Sequence, residues 1–174
     1  MTSNLEIAKS SRHSKITGDF AERLVLYWLS KYGFECAYVD HVGLDLLARN
    51  PHTRELMGIS VKSRSRVVHR ESSPVLIPLD NLDKLDAACK AFECNPYFAI
   101  VVDRGSTIWT FILSKAHLLK VSPPGKAGIG WSMSDASLKR YASDPNIKGF
   151  QFATETWSWW GKSTRKPIKA NEVI

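Results

Sequence analysis

The sequence is poor in cysteine, and its few cysteines lack the spacings that build a structural metal site. Cys36, Cys89 and Cys94 are odd in number and form no CxxC motif. Small secreted domains carry dense, even sets of cysteines, so this pattern predicts free thiols and neither a disulfide framework nor a zinc site. Free thiols are typical of a reducing compartment, and we expect the protein in the cytoplasm.

Long apolar runs are absent as well. A membrane-spanning helix needs roughly 18 consecutive apolar residues, and no run approaches that length. Residues 1–15 are polar and rich in serine rather than in the apolar residues of a signal peptide. We therefore expect no membrane partner. With 174 residues, 44% of them hydrophobic, the chain fits one domain with its own core.

Several common catalytic motifs are missing. There is no GxSxG nucleophile elbow and no dinucleotide-binding fingerprint. Residues 125–130 are rich in glycine but lack the GK[ST] ending of a phosphate-binding loop. The motifs of a serine hydrolase, a Rossmann dehydrogenase and a P-loop NTPase are therefore not present.

Positive charge is in excess. The 24 Lys and Arg residues against 17 Asp and Glu give a formal charge of +7. Such an excess favours an acidic partner, of which nucleic acid is the commonest, although a solvated basic surface is an equal alternative on charge alone.

Hydrophobic periodicity predicts a mixed α/β domain. Thr17 is a candidate cap for a helix that runs to about Tyr32, and its apolar residues recur at helical spacing. Further elements are three strands near 34–40, 44–49 and 56–63, a helix over 79–92, strands over 97–102 and 107–113, a short helix at 134–141 and a strand at 150–152. The order α-β-β-β-α-β-β suits a mixed central β-sheet flanked by helices. Residues 1–14 are expected to form a flexible arm.

The second and third strands bring polar residues together. If their turn is centred between His52 and Thr53, Asp45 lies opposite Ser60, and Lys62 shares the face of Ser60 because side chains alternate along a strand. A slip of one residue would destroy this arrangement. An acid can hold a divalent cation that polarises a phosphate, and a nearby lysine can stabilise developing negative charge. Mg²⁺ needs one or two carboxylates, and the first helix offers Glu22 as the second.

These residues resemble the core of the PD-(D/E)XK nuclease superfamily, in particular archaeal Holliday-junction resolvases. The resemblance rests on residues 18–22 (GDFAE), 33–34 (GF), 43–48 (GLDLLA) and 58–63 (GISVKS). It implies a restriction endonuclease-like core over about 17–113, with residues 114–174 as a C-terminal extension of the same domain. It further implies cleavage of DNA with Mg²⁺ or Mn²⁺, metal ligands Asp45 and Glu22, a catalytic Lys62 and, as in many relatives, a homodimer.

Ser60 departs from the superfamily pattern, which normally has an acid there. A neutral hydroxyl is a poor ligand for Mg²⁺, so two interpretations stay open. Either Glu22 supplies the second carboxylate while Ser60 holds a water, or catalysis is lost and the fold only binds nucleic acid. Glu71 is a further candidate replacement. A third interpretation is an interaction subunit of a repair or defence assembly.

Basic residues continue from the site lysine. Lys62, Arg64, Arg66 and Arg70 are predicted to contact phosphates, with a solvated loop as the alternative. Near the C-terminus, Trp157, Trp159 and Trp160 stand beside several lysines and arginines. They are expected to pack against the core more readily than to stack on bases.

Overall fold

The computed structural model describes residues 10–66 and 73–154, which form four helices and eight strands. In chain order these are α1 (His13–Lys31), β1 (Glu35–His41), β2 (Leu44–Arg49), β3 (Leu56–Ser65), β4 (Val75–Ile77), α2 (Leu79–Ala91), β5 (Asn95–Asp103), β6 (Thr107–Ser114), α3 (Lys115–Val121), β7 (Ile129–Trp131), α4 (Asp135–Ala142) and β8 (Lys148–Ala153). The predicted mixed α/β class is confirmed.

One mixed sheet organises these elements. Six strands lie in the order β1-β2-β3-β5-β6-β8, and β4 pairs with β7 in a separate two-stranded sheet. β3 and β5 are parallel, whereas the other neighbours in the large sheet are antiparallel. A parallel pair requires a crossover, and α2 lies within the segment that joins β3 to β5. β3 therefore has strands on both sides.

Each face of the large sheet is covered by helix. One face packs against α1, through the buried residues Ala21, Leu24, Val25 and Leu29 of that helix. The opposite face packs against α2 and α4, through Leu82, Leu85, Leu138 and Tyr141 of these helices. We call the second face the α2 face, and the strand residues Phe98, Ile100 and Phe111 belong to its core.

Some predicted boundaries were wrong. α1 begins at His13, so Thr17 is not its cap; inside the helix, its hydroxyl donates to the carbonyl oxygen of His13 at 2.7 Å. The last residues of the predicted arm are therefore helical, while residues 1–9 lie outside the described chain. β4, α3 and β7 were not predicted, because each is short and the small sheet pairs strands far apart in sequence. β8 pairs with β6, so the large sheet extends beyond residue 113.

Two further findings concern the sequence predictions on thiols and membranes. Cys36, Cys89 and Cys94 are all free. Within residues 10–66 and 73–154, no helix is both long and apolar enough to cross a membrane.

Gly43 sets the path of the chain into β2. Its φ angle is +89°, a conformation that L-residues with a side chain rarely adopt. A Cβ atom there would lie 2.5 Å from the carbonyl carbon and oxygen of Lys84, on α2. Backbone atoms cannot move aside as a flexible side chain would. The start of β2 therefore packs directly under α2, and this contact requires glycine.

We predict that Gly43→Ala lowers the free energy of unfolding by about 2–4 kcal/mol, because it adds both backbone strain and a backbone clash. Urea denaturation measures the change. Gly18→Ala is the matched control: Gly18 lies within α1, and no atom would lie within 4 Å of an alanine methyl group there, so alanine should stabilise the helix by up to about 1 kcal/mol. Equal effects of the two substitutions would contradict the prediction.

Candidate active site

The β2–β3 hairpin has the predicted register. Leu46 pairs with Ile59, and the pairing continues through three more pairs to Arg49 and Leu56. Asn50 begins the turn, where its side-chain oxygen accepts from the backbone N–H of His52 at 2.9 Å. Such a side-chain acceptor fixes a tight turn, and the turn in turn fixes which residues face each other.

The Asp45 side chain joins the two strands where this ladder of paired residues ends. Its Oδ2 atom accepts from the backbone N–H of Val61 at 2.5 Å and from the hydroxyl of Ser60 at 3.3 Å. Ser60 is only 2% exposed, so its hydroxyl needs a partner inside the protein. Within the described chain both hydrogen bonds fall on Oδ2, which leaves Oδ1 for a ligand.

Lys62 lies on the same face as Ser60. In the parallel register of β3 and β5, Ser60 faces Phe98 and Lys62 faces Ile100, and both partners belong to the core of the α2 face. Lys62 itself is half-buried. Among the residues that the structure describes, it forms no salt bridge. Its ammonium group is therefore not neutralised by a described carboxylate and can serve an anion.

Glu22 interacts electrostatically with the site from α1. Burial raises the pKa of its carboxyl group above the usual value, and the negative charge of Asp45 raises it further. The Tyr38 hydroxyl on β1 opposes this rise, and the Glu22 carboxyl group in turn raises the pKa of Tyr38. Two carboxylates that repel each other are an arrangement that a bound cation relieves.

The candidate site offers only a minimal set of ligands for a hard divalent cation. In the described ranges 10–66 and 73–154, no group of three or more His, Cys, Asp or Glu side chains is placed to hold a metal ion. Mg²⁺, however, commonly binds through one or two carboxylates and keeps several waters. Asp45 and Glu22 are the carboxylates that would meet that lower requirement, and Ser60 would add no charge to it.

Comparisons with known proteins address the fold. No family model matches the chain, and no curated protein matches its sequence. Among solved structures it is similar to Hjc, a Holliday junction resolvase from the archaeal hyperthermophile Archaeoglobus fulgidus. The TM-score is 0.50 and the identity 18%, over 71% of this chain and 88% of that chain. The chain has a restriction endonuclease-like fold. A restriction endonuclease in complex with substrate DNA is similar at a TM-score of 0.37 and 10% identity, over 86% of this chain and 74% of that one.

The restriction endonuclease-like fold confirms the predicted resemblance to the PD-(D/E)XK architecture. Of the residues that the sequence predicted to meet, Asp45 and Ser60 are joined by a hydrogen bond, and Lys62 shares the face of Ser60. Glu22 lies on α1, which packs against the other face of the sheet, and the charge of Asp45 acts on its carboxyl group. The roles of these residues stay predictions.

The predicted basic residues have different surroundings. Arg64 is exposed, and its guanidinium donates to the carbonyl oxygen of Pro74 at 2.7 Å. Arg66 is largely buried and forms a salt bridge of 2.6 Å with Asp135. Arg70, Glu71 and the tryptophans of the C-terminus lie outside the described residues.

Sequence reasoning missed three residues around the site. Tyr38 contacts Glu22 through the fold, and β1 gave no pattern that set it apart. Arg104 and Asp135 approach Arg66 from distant parts of the chain, with Arg104 at 3.0 Å from Asp135. No local sequence signal could have indicated either contact.

We predict that Glu22→Gln stabilises the fold at neutral pH. Because the folded pKa of Glu22 is raised, its ionised form disfavours folding above that pKa, and the penalty disappears as pH falls toward the unfolded value of 4.5. Urea denaturation in EDTA at pH 7 and pH 5 measures the gain, which should shrink at the lower pH. Glu35→Gln, at an exposed carboxylate on β1, controls for the loss of one charge. A gain that is equal at both pH values, or a loss at pH 7, would show that Glu22 is not destabilised by its site.

Proposed function

We propose that the protein is a metal-dependent nuclease that hydrolyses phosphodiester bonds in DNA. One observation carries the proposal: the Asp45 carboxylate lies where the pairing of β2 and β3 ends, on the face of Lys62 and within the electrostatic reach of Glu22. Two carboxylates, and a lysine without an ion-pair partner in the described chain, are groups suited to a phosphate and its attacking water.

Each residue has a separate role in this proposal. Asp45 and Glu22 would hold Mg²⁺ or Mn²⁺; when bound, such an ion neutralises phosphate charge and activates water. Lys62 would donate to a phosphate oxygen or orient the attacking water. Ser60 donates to Asp45 and so orients that carboxylate. Ser60 is therefore a positioning residue and not a third metal ligand.

The charge of the chain supports a nucleic-acid substrate. Lys62, Arg64 and Arg66 occupy alternate positions along β3 and the residue that follows it, and the whole chain carries +7. Arg70 belongs to the same proposed phosphate-binding run. DNA is preferred because the similar fold of Hjc belongs to a Holliday junction resolvase. A homodimer, which could cut two strands symmetrically, and a cytoplasmic location complete the proposal.

A second candidate function is a nucleic-acid-binding module without catalysis. It is favoured by the neutral Ser60 at the position of an acid and by the two protein donors already held by Oδ2 of Asp45. Both features reduce the negative charge available to a cation.

A cleavage assay tests the nuclease. Plasmid, linear, single-stranded and branched DNA, and an RNA, are incubated with Mg²⁺, Mn²⁺ or EDTA. We expect metal-dependent cleavage of DNA that falls by about 100-fold or more in Asp45→Asn and Lys62→Met. Asparagine is chosen because its amide oxygen still accepts from Val61, whereas alanine leaves a buried N–H unpaired at a cost of about 1–3 kcal/mol.

Ser60→Asp provides a second arm, since it restores an acid where the superfamily has one. If the wild-type protein cleaves DNA, we predict that this variant retains or increases the cleavage. Absence of cleavage in the wild type, together with salt-sensitive DNA binding, would overturn the nuclease and favour the silent binder. Absence of both would favour an interaction subunit.

A further inference from the structure

Two arginines converge on one carboxylate just beyond the end of β3. Arg66 Nη1 lies 2.6 Å and Arg104 Nη2 3.0 Å from the same oxygen, Oδ1 of Asp135. The two guanidinium groups outnumber the single carboxylate, so the cluster is positively charged. We call Arg66 and Arg104 the arginine pair.

The arginine pair is less exposed than the carboxylate that it binds. The side chains of Arg66 and Arg104 are 12% and 29% exposed, whereas that of Asp135 is 55% exposed. Arg66 is anchored by its backbone N–H, which donates to the carbonyl oxygen of Asp103 at 2.8 Å. The Arg104 guanidinium lies 6.0 Å from the ring centre of Trp109. The cations are therefore set into the surface, and the anion covers them from the solvent side.

Asp135 can leave the arginine pair without unfolding α4. The cap of this helix is Ser134, whose hydroxyl oxygen accepts from the backbone N–H of Ser137. Leu138 and Tyr141 anchor the helix in the core. Asp135 is ionised at neutral pH, as an ordinary aspartate is, and the Arg66 hydrogen bond lowers the pKa of its carboxyl group further. It thus presents to the arginine pair a charged oxygen of the kind that a phosphate carries.

The arginine pair lies in line with Lys62. The hydrogen bond from the Arg66 N–H to Asp103 extends the pairing of β3 and β5 by one residue, so Lys62 and Arg66 share the α2 face and stand about 13 Å apart. A nucleic-acid strand that places one phosphate at Lys62 would pass a nearby phosphate over the pair.

We propose that Arg66 and Arg104 form a binding site for a backbone phosphate of nucleic acid, and that Asp135 occupies this site in the free protein. Paired guanidinium groups match the acceptor geometry of phosphate, and the two non-bridging oxygens of a phosphodiester could each accept from one arginine, whereas both arginines share a single oxygen of Asp135. The identity of the partner rests on the proposed function, but the site itself does not require cleavage. Asp135 is then a competitor that a bound strand must displace.

Binding of fluorescein-labelled DNA in EDTA, over a series of NaCl concentrations, tests the site without catalysis. Asp135→Asn should bind several-fold more tightly, because no carboxylate competes for the pair. Asp86→Asn is the matched control: its side chain is 50% exposed and pairs with Lys115, so the same charge is removed elsewhere. This control should change affinity less.

Arg104→Gln provides the converse arm. It should weaken binding and reduce the slope of log K against log [NaCl] by about 1, as the loss of one phosphate contact requires. Asp135→Asn should have little further effect in the Arg104→Gln background. Thermal unfolding of every variant checks that each is folded.

Equal affinities of Asp135→Asn and Asp86→Asn would overturn the inference and leave the cluster as a structural tie of α4. An unchanged salt slope in Arg104→Gln, or no DNA binding at all, would also overturn it. A wild type that binds but does not cut, with Asp135→Asn tighter, would overturn the proposed nuclease and support the site. A wild type that cuts DNA, while Asp135→Asn binds no more tightly than its control, would support the proposed nuclease and overturn the arginine site.

Discussion

The hydrogen bond from the Val61 N–H to the Asp45 carboxylate joins the fold to its candidate chemistry. The regular pairing of β2 and β3 ends at Leu46 and Ile59, and a side chain then supplies the acceptor. This single contact fixes the carboxylate, keeps a backbone donor satisfied and orders the place where Ser60 and Lys62 emerge. A register slip of one residue would turn both side chains toward α1 and remove the site.

The site also carries an electrostatic cost that the fold tolerates. Glu22 is half-buried near another carboxylate, so its charged form is disfavoured without a cation. Proteins commonly retain such destabilised groups where function requires them, which is why this position supports a functional interpretation. Ser60 reduces this electrostatic cost, because its neutral hydroxyl donates to Asp45 and lessens the negative charge at the centre of the site.

The features that could be predicted from the sequence are those that residues close together in the chain determine. The register followed from the turn after β2 and from alternation in β2 and β3, so the meeting of Asp45 and Ser60 was predictable. The start of α1 was not, since Thr17 fits a cap by residue type but bonds back to His13 within the helix. The contacts of Tyr38 with Glu22 and of Arg66 with Asp135 depend on how distant elements pack. Neither leaves a periodic or spacing signal in the chain.

We propose that Asp45 and Glu22 together bind a divalent cation although Ser60 is neutral. Titration of the protein with Mn²⁺, followed by electron paramagnetic resonance of the free ion, tests it most directly. The account predicts a single site that is weakened about 10-fold or more in Asp45→Asn and in Glu22→Gln, and unchanged in Asp86→Asn. Failure of the wild type to bind Mn²⁺, or equal binding by all four proteins, would contradict it.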